Sequence, residues 1–111
     1  MLATNKESAK SILRKHEWVE GDRRIGKTEA LIEVIHEDHQ GNAVVVYPSA
    51  ELGEMFKRRY HEKYPHDPIP SVQNARNAGR GETRPIYADV YWRFTDQDCS
   101  YLDRVVTAAI W

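Results

Sequence analysis

Gly21, Asp22, Arg23, Arg24, Ile25, Gly26, Lys27 and Thr28 fit the spacing G-x-x-x-x-G-K-[ST], and residues of these types at these intervals are suited to holding phosphate. The glycines let backbone N–H groups wrap an anion closely, and a helix that follows adds the positive end of its dipole. Lys27 then neutralises phosphate oxygens, while Thr28 offers a hydroxyl to Mg²⁺. At average glycine usage the pattern arises by chance in roughly one chain of this length in three hundred. The plainer alternative is a glycine turn that caps a helix.

Such a loop needs a strand before it and a helix after it. Trp18 and Val19 form a short apolar pair ended by Gly21, read as the strand. From Thr28 to His39, the residues Ala30, Leu31, Ile32, Val34 and Ile35 predict a well-buried helix, with Gly41 placed for a left-handed cap. Upstream, Thr4 and Glu7 have capping-box spacing, and Ala9, Ile12, Leu13 and His16 share one face of a helix predicted over residues 5 to 15. Downstream, Ala43 to Tyr47 (AVVVY) is a β-branched run of the kind a parallel sheet buries on both faces. Ser49 then caps a helix marked by Leu52, Met55, Phe56, Tyr60 and Tyr64. Ile86 to Trp92 reads as a strand, Thr95 with Asp98 as the start of a short helix to Leu102, and Val105 to Ile110 as a last strand. The stretch from Pro65 to Pro85 is read as a long basic loop, either functional or mobile. The order αβαβαβαβ predicts the α/β class: one small three-layer α/β/α domain over residues 1 to 111, with a parallel sheet and a short N-terminal helix in front of it.

With these motifs in this order, the chain resembles the nucleotide-binding core of P-loop NTPases over Trp18 to Ile110, most closely the RecA-like ATPase cores of helicases and phage terminases. The segment GDRRIGKT is similar to the arginine-containing P-loops of terminase-like ATPases. That resemblance implies ATP or GTP as ligand, bound by Gly21, Arg23, Arg24, Gly26, Lys27 and Thr28. Ile86-Tyr87-Ala88-Asp89 resembles a Walker B strand, which implies that Asp89 stands beside Thr28 at Mg²⁺ and serves the catalytic centre. Val105 to Ala109 is similar to the helicase strand that follows Walker B, which implies that Thr107 senses the γ-phosphate. RecA-like sheets further imply the strand order 2-3-4-1, with Ala43 to Tyr47 outermost and Thr107 close to the phosphates.

Two features depart from that family. Val90 follows Asp89 where a water-polarising Glu is usual, so the expected hydrolysis is slow or absent unless Asp96 or Asp98 substitutes. The sequence also ends after the sensor-like strand, so the resemblance implies a truncated core without a cis arginine finger or a second RecA-like domain. The expected function is Mg²⁺-dependent ATP or GTP binding, acting with a partner in nucleic-acid metabolism. The alternative is a noncatalytic interaction protein, such as a phage-encoded inhibitor or adaptor on the same fold. A nucleoside or nucleotide kinase, with residues 65 to 85 as its lid, ranks third.

Other groupings have competing readings. Arg76, Arg80 and Arg84 lie in a glycine-containing loop with few evident acid partners, and are candidates for a polyanion or a partner, the alternative being a solvated loop. Lys57, Arg58, Arg59 and Lys63 with Tyr60 and Tyr64 suit a nucleic-acid backbone or, more simply, a basic helix end with a tyrosine core face. His36 and His39 have metal-compatible spacing but lack evident further ligands. Tyr87, Tyr91, Trp92 and Trp111 read as core or as a surface for a protein partner or a second copy. Sixteen basic and seventeen acidic residues leave a net charge of -1, so any nucleic-acid site must be local rather than a whole-molecule field. The single Cys99 can form neither an internal disulfide nor a thiolate cage, and no apolar run is long enough for a membrane span. The expected setting is cytoplasmic, with no membrane partner.

Overall fold

Side-chain caps start three of the helices. In the computed structural model, which describes Met1–Trp111 apart from the side chain of Arg23, the Oδ1 of Asn5 accepts the Ser8 N–H at 2.8 Å. The Ser49 Oγ accepts from Leu52 N, and the Thr95 Oγ1 from Asp98 N. The first capping box is therefore Asn5 with Ser8 rather than Thr4 with Glu7, because the Ser8 hydroxyl reaches back to the Asn5 N–H at 3.1 Å. The elements run α1 (Lys6–Arg14), β1 (Trp18–Val19), α2 (Lys27–His39), β2 (Val44–Val46), α3 (Ala50–Lys63), β3 (Ser71–Gln73), β4 (Ile86–Ala88), α4 (Asp96–Val105) and β5 (Ala108–Ile110). Short 3₁₀ turns occupy Arg23–Ile25 and Tyr91–Arg93. Among the described residues, no helix is long and apolar enough to cross a membrane.

All the strand pairs are parallel, in the order β1-β5-β4-β2-β3, with Val45 opposite both Tyr87 and Val72 and with Trp18 opposite Ala109. The four expected strands keep their relative order 2-3-4-1, read from β2 through β4 and β5 to β1, and the correction is confined to the outer edge. A fifth strand, Ser71–Gln73, lies beyond β2, so the AVVVY run is interior rather than outermost. Its burial on both faces fits that position: Val44, Val45 and Val46 are fully buried. Val19, Val45, Tyr47, Tyr87, Ala108 and Ile110 face α1, α2 and α3. Val44, Val46, Ile86, Ala88 and Ala109 face the other layer, made by Leu102 of α4 with Tyr91, Phe94, Ala75 and Ala78. The domain is thus an α/β/α sandwich with unequal layers.

Two predicted strands are shorter than expected. Val90 adopts the left-handed region (φ 54°), which ends β4 at Ala88 and turns the chain into the 3₁₀ segment. Val105 closes α4, so β5 begins only at Ala108. The stretch from Pro65 to Pro85 is likewise more structured than the expected loop. It contributes β3, buries Ala75 and Ala78, and receives a hydrogen bond from the Tyr101 hydroxyl at the Ala78 carbonyl.

The helix that carries Lys27 and Thr28 is clamped on both sides by charge. Glu29, Glu33 and Glu37 recur one turn apart along α2. Glu33 is met by Lys6 at 2.7 Å and Lys10 at 3.0 Å from α1, and by Lys63 at 2.8 Å from α3. Glu37 pairs with Lys10 and Arg14, and Glu29 with Arg59 and Lys63. Part of the basic cluster on α3 is therefore spent inside the fold.

Candidate functional site

Parallel strands bring their carboxyl ends to one edge of the sheet, and ligands of open α/β sheets bind at that edge. Gly21, Tyr47, Asp89 and Trp111 follow β1, β2, β4 and β5 there. The turn after β1 depends on glycine. Gly21 has φ +149°, and a Cβ on it would stand 2.7 Å from the Ala3 carbonyl oxygen. Gly26 has φ +80° and is the N-cap of α2, so no cap side chain covers the first N–H groups of that helix.

Lys27 folds back across this turn, its Nζ donating to the Gly21 carbonyl at 2.7 Å and to the Trp111 carbonyl at 3.4 Å. One residue on, the Thr28 Oγ1 donates to Asp89 Oδ2 at 2.9 Å, joining positions 61 residues apart in sequence. Asp89 is 3% exposed. Its Oδ2 also accepts from the Tyr47 hydroxyl at 2.6 Å, and its Oδ1 accepts the Val90 N–H at 2.7 Å. Among the described residues these donors are all neutral, so the buried carboxylate is solvated by hydrogen bonds and makes no salt bridge. Burial pushes the Tyr47 phenol well above its ordinary pKa, and the charge of Asp89 adds to the shift, so the phenol stays a proton donor.

A cleft of about 360 Å³ opens beside this pair. Its lining includes Gly26, Lys27, Thr28, Asp89, Arg59 and Arg93. Trp92 and Trp111, 54% and 49% exposed, stand at its walls. The cations Lys27, Arg59 and Arg93 outnumber the acids Glu29 and Asp89 in the wall, which suits an anionic guest. Glu29 is tied down: hydrogen bonds from Lys63 and then Arg59 outweigh burial and hold its carboxyl below the usual range.

The structure gathers Gly21, Gly26, Lys27, Thr28 and Asp89 at this edge, while Thr107, Arg76, Arg80 and Arg84 lie elsewhere. Thr107 precedes β5 at the opposite end of the sheet, where its N–H donates to the Ile86 carbonyl and its Oγ1 accepts the Ile86 N–H. This corrects the expectation of a γ-phosphate sensor, because the residues of β5 that reach the cleft are Ile110 and, just beyond it, Trp111. Arg24 points into solvent near Asp22 and does not line the cleft, and the side chain of Arg23 lies outside the described residues. Arg76 and Arg80 are exposed and line a separate cleft with Gln97, Asp98 and Tyr101. Arg84 does have a local acid partner, holding Glu82 through Nε at 2.6 Å and a terminal nitrogen at 2.8 Å. Asp96 and Asp98 are not part of the Lys27 cleft, so neither stands where a water-orienting acid is missing.

His36 stacks on Tyr64 and bonds Asp67 at 2.7 Å, while His39 bonds the Tyr87 hydroxyl at 3.0 Å. Tyr47, Arg59, Trp92 and Arg93 were not foreseen at the site. Only Tyr47 carried a usable signal, a polar-tipped ring at the carboxyl end of a buried strand. Set against protein-family models, curated proteins and solved structures, the chain finds no match.

Proposed function

We propose that the chain binds a nucleoside triphosphate, ATP or GTP, with Mg²⁺ in the cleft at the carboxyl edge of the sheet, and turns it over slowly or not at all. The observation that carries this reading is the hydrogen bond between Thr28 Oγ1 and Asp89 Oδ2, at the start of a helix whose N-cap is a left-handed glycine. A hydroxyl and a carboxylate side by side are hard oxygen ligands of the kind Mg²⁺ accepts, with phosphates and water completing its shell. A carboxylate that is 3% exposed and met only by neutral donors also fits a cation as its missing partner.

In this reading Lys27 exchanges the Gly21 and Trp111 carbonyls for phosphate oxygens. The N–H groups at the start of α2 hold the same phosphates. Bound Mg²⁺ neutralises phosphate charge. Slow turnover follows from the walls of the cleft. Val90 beside Asp89 is apolar, and Glu29 is engaged by Arg59 and Lys63, so neither can orient an attacking water. Calorimetry with ATP and GTP, with and without Mg²⁺, tests the proposal. Saturable binding that strengthens with Mg²⁺ supports it, and no heat at millimolar nucleotide overturns it in favour of a partner-binding protein, for which the exposed Trp92 and Trp111 are the natural surface.

A further inference from the structure

We propose that Tyr47 is a positioning residue for the cation-binding carboxylate: its hydroxyl fixes Asp89 Oδ2 so that Thr28 is free to leave Asp89 for the metal. The inference rests on the nucleotide reading above and assigns Tyr47 a part in it. Asp89 Oδ2 receives Thr28 Oγ1 at 2.9 Å and the Tyr47 hydroxyl at 2.6 Å. A carboxylate oxygen has two lone-pair directions. If Mg²⁺ takes the one now used by Thr28, Tyr47 keeps the other, and the Val90 N–H keeps Oδ1 at 2.7 Å. The carboxylate is then held at both oxygens throughout, and its orientation does not depend on where the Thr28 hydroxyl points.

Tyr47 is built to do this. Tyr47 is 6% exposed and its ring packs on Phe56 with centroids 5.6 Å apart, so the hydroxyl is delivered by a packed side chain at the end of a central strand. Without that hydroxyl, the carboxylate of Asp89 would keep only the Val90 N–H among its present protein partners once Thr28 has left. The Asp89 backbone stays bonded to the Val46 carbonyl at 3.2 Å, but nothing from β2 would hold the carboxylate itself. Partners of this outer kind are commonly worth 10- to 100-fold in metal affinity.

The test uses the whole chain and compares ATP binding by calorimetry with and without Mg²⁺, in the wild type, in Tyr47→Phe and in Phe56→Leu, with a thermal melt of each. The expected result is that Tyr47→Phe keeps the metal-free affinity within about twofold but loses ~10- to 100-fold of the gain that Mg²⁺ brings. Phe56→Leu loosens the same packing while leaving the hydroxyl, and is expected to lower the melting temperature while losing less of the Mg²⁺ gain than Tyr47→Phe does. A full Mg²⁺ gain in Tyr47→Phe overturns the inference and leaves the nucleotide reading standing. Equal loss of the metal-free and Mg²⁺ affinities in Tyr47→Phe assigns Tyr47 a purely structural part, which also overturns it. Failure of the wild type to bind either ATP or GTP, with or without Mg²⁺, overturns the nucleotide reading, and the inference with it.

Discussion

Replacing Glu33 with Gln should destabilise the fold by an amount that depends on pH. Glu33 is 7% exposed and is met by Lys6, Lys10 and Lys63 at 3.0 Å or less. Burial alone would raise its pKa, but the hydrogen bonds from Lys6, Lys63 and Lys10 more than offset this and hold it at about 2 against an ordinary 4.5. At 1.36 kcal/mol per pH unit the ceiling on its contribution is ~3 kcal/mol. Lys6 and Lys63 are 41% and 36% exposed, so water screens part of that, and about 1 to 2 kcal/mol is the expected cost. For a domain of this size the loss corresponds to a melting point lower by roughly 4 to 10 °C. Because the folded pKa is depressed, the stabilisation is complete above the unfolded value of 4.5 and is lost as pH falls toward about 2. Urea titrations of wild type and Glu33→Gln at pH 7, 5, 4 and 3 should therefore show a constant gap at the first two and a narrowing gap below. Equal midpoints at pH 7, or a gap that widens on acidification, would show that the three lysines do not stabilise the fold through the Glu33 charge.

Lys27→Ala should abolish nucleotide binding and leave circular dichroism unchanged, since Lys27 makes its contacts to carbonyls of the turn and of Trp111 and is not part of the core; wild-type affinity in that variant would contradict the proposed role. Val90→Glu, which places an acid beside Asp89 in the cleft wall, should raise Mg²⁺-dependent hydrolysis by ~10²- to 10⁴-fold, read as phosphate release. A rapid wild-type rate would instead mean that a water-orienting group already operates. Hydrogen exchange should divide the stretch between Pro65 and Pro85: the Ser71 amide, bonded to the Ala43 carbonyl at 3.0 Å, should exchange slowly, and that of Gly81, where an added Cβ would meet nothing within 4 Å, should exchange fast.

Local chemistry was the legible part of this chain. The turn from Gly21 to Thr28 could be read because it lies within eight consecutive residues and its glycines are needed for backbone shape. Asp89 was singled out by the resemblance of Ile86-Tyr87-Ala88-Asp89 to a Walker B strand, while the end of the strand at Ala88 was not read. Thr107 was misread because Val105-Val106-Thr107 has β-branched composition yet closes α4 and turns into β5, and composition alone does not say where a strand begins. The strand Ser71–Gln73 was missed because its residues are only half-buried and carry no apolar alternation; it exists through its pairing with β2. The place of Arg59 and Arg93 in the cleft depends on the packing of α3 and on the left-handed turn at Val90, relations between distant elements that leave no trace in residue spacing.

The most direct test of the central claim is an amide NMR titration of the whole chain with Mg²⁺ and ATP. Saturable shifts are expected at Gly21 to Glu29, at Asp89 to Arg93, and at Ile110 and Trp111, the segments that form the proposed phosphate turn and line the cleft. The absence of shifts at millimolar ATP and, in a parallel titration, at millimolar GTP, or shifts confined to the surface around Arg76, Arg80 and Tyr101, would contradict the claim.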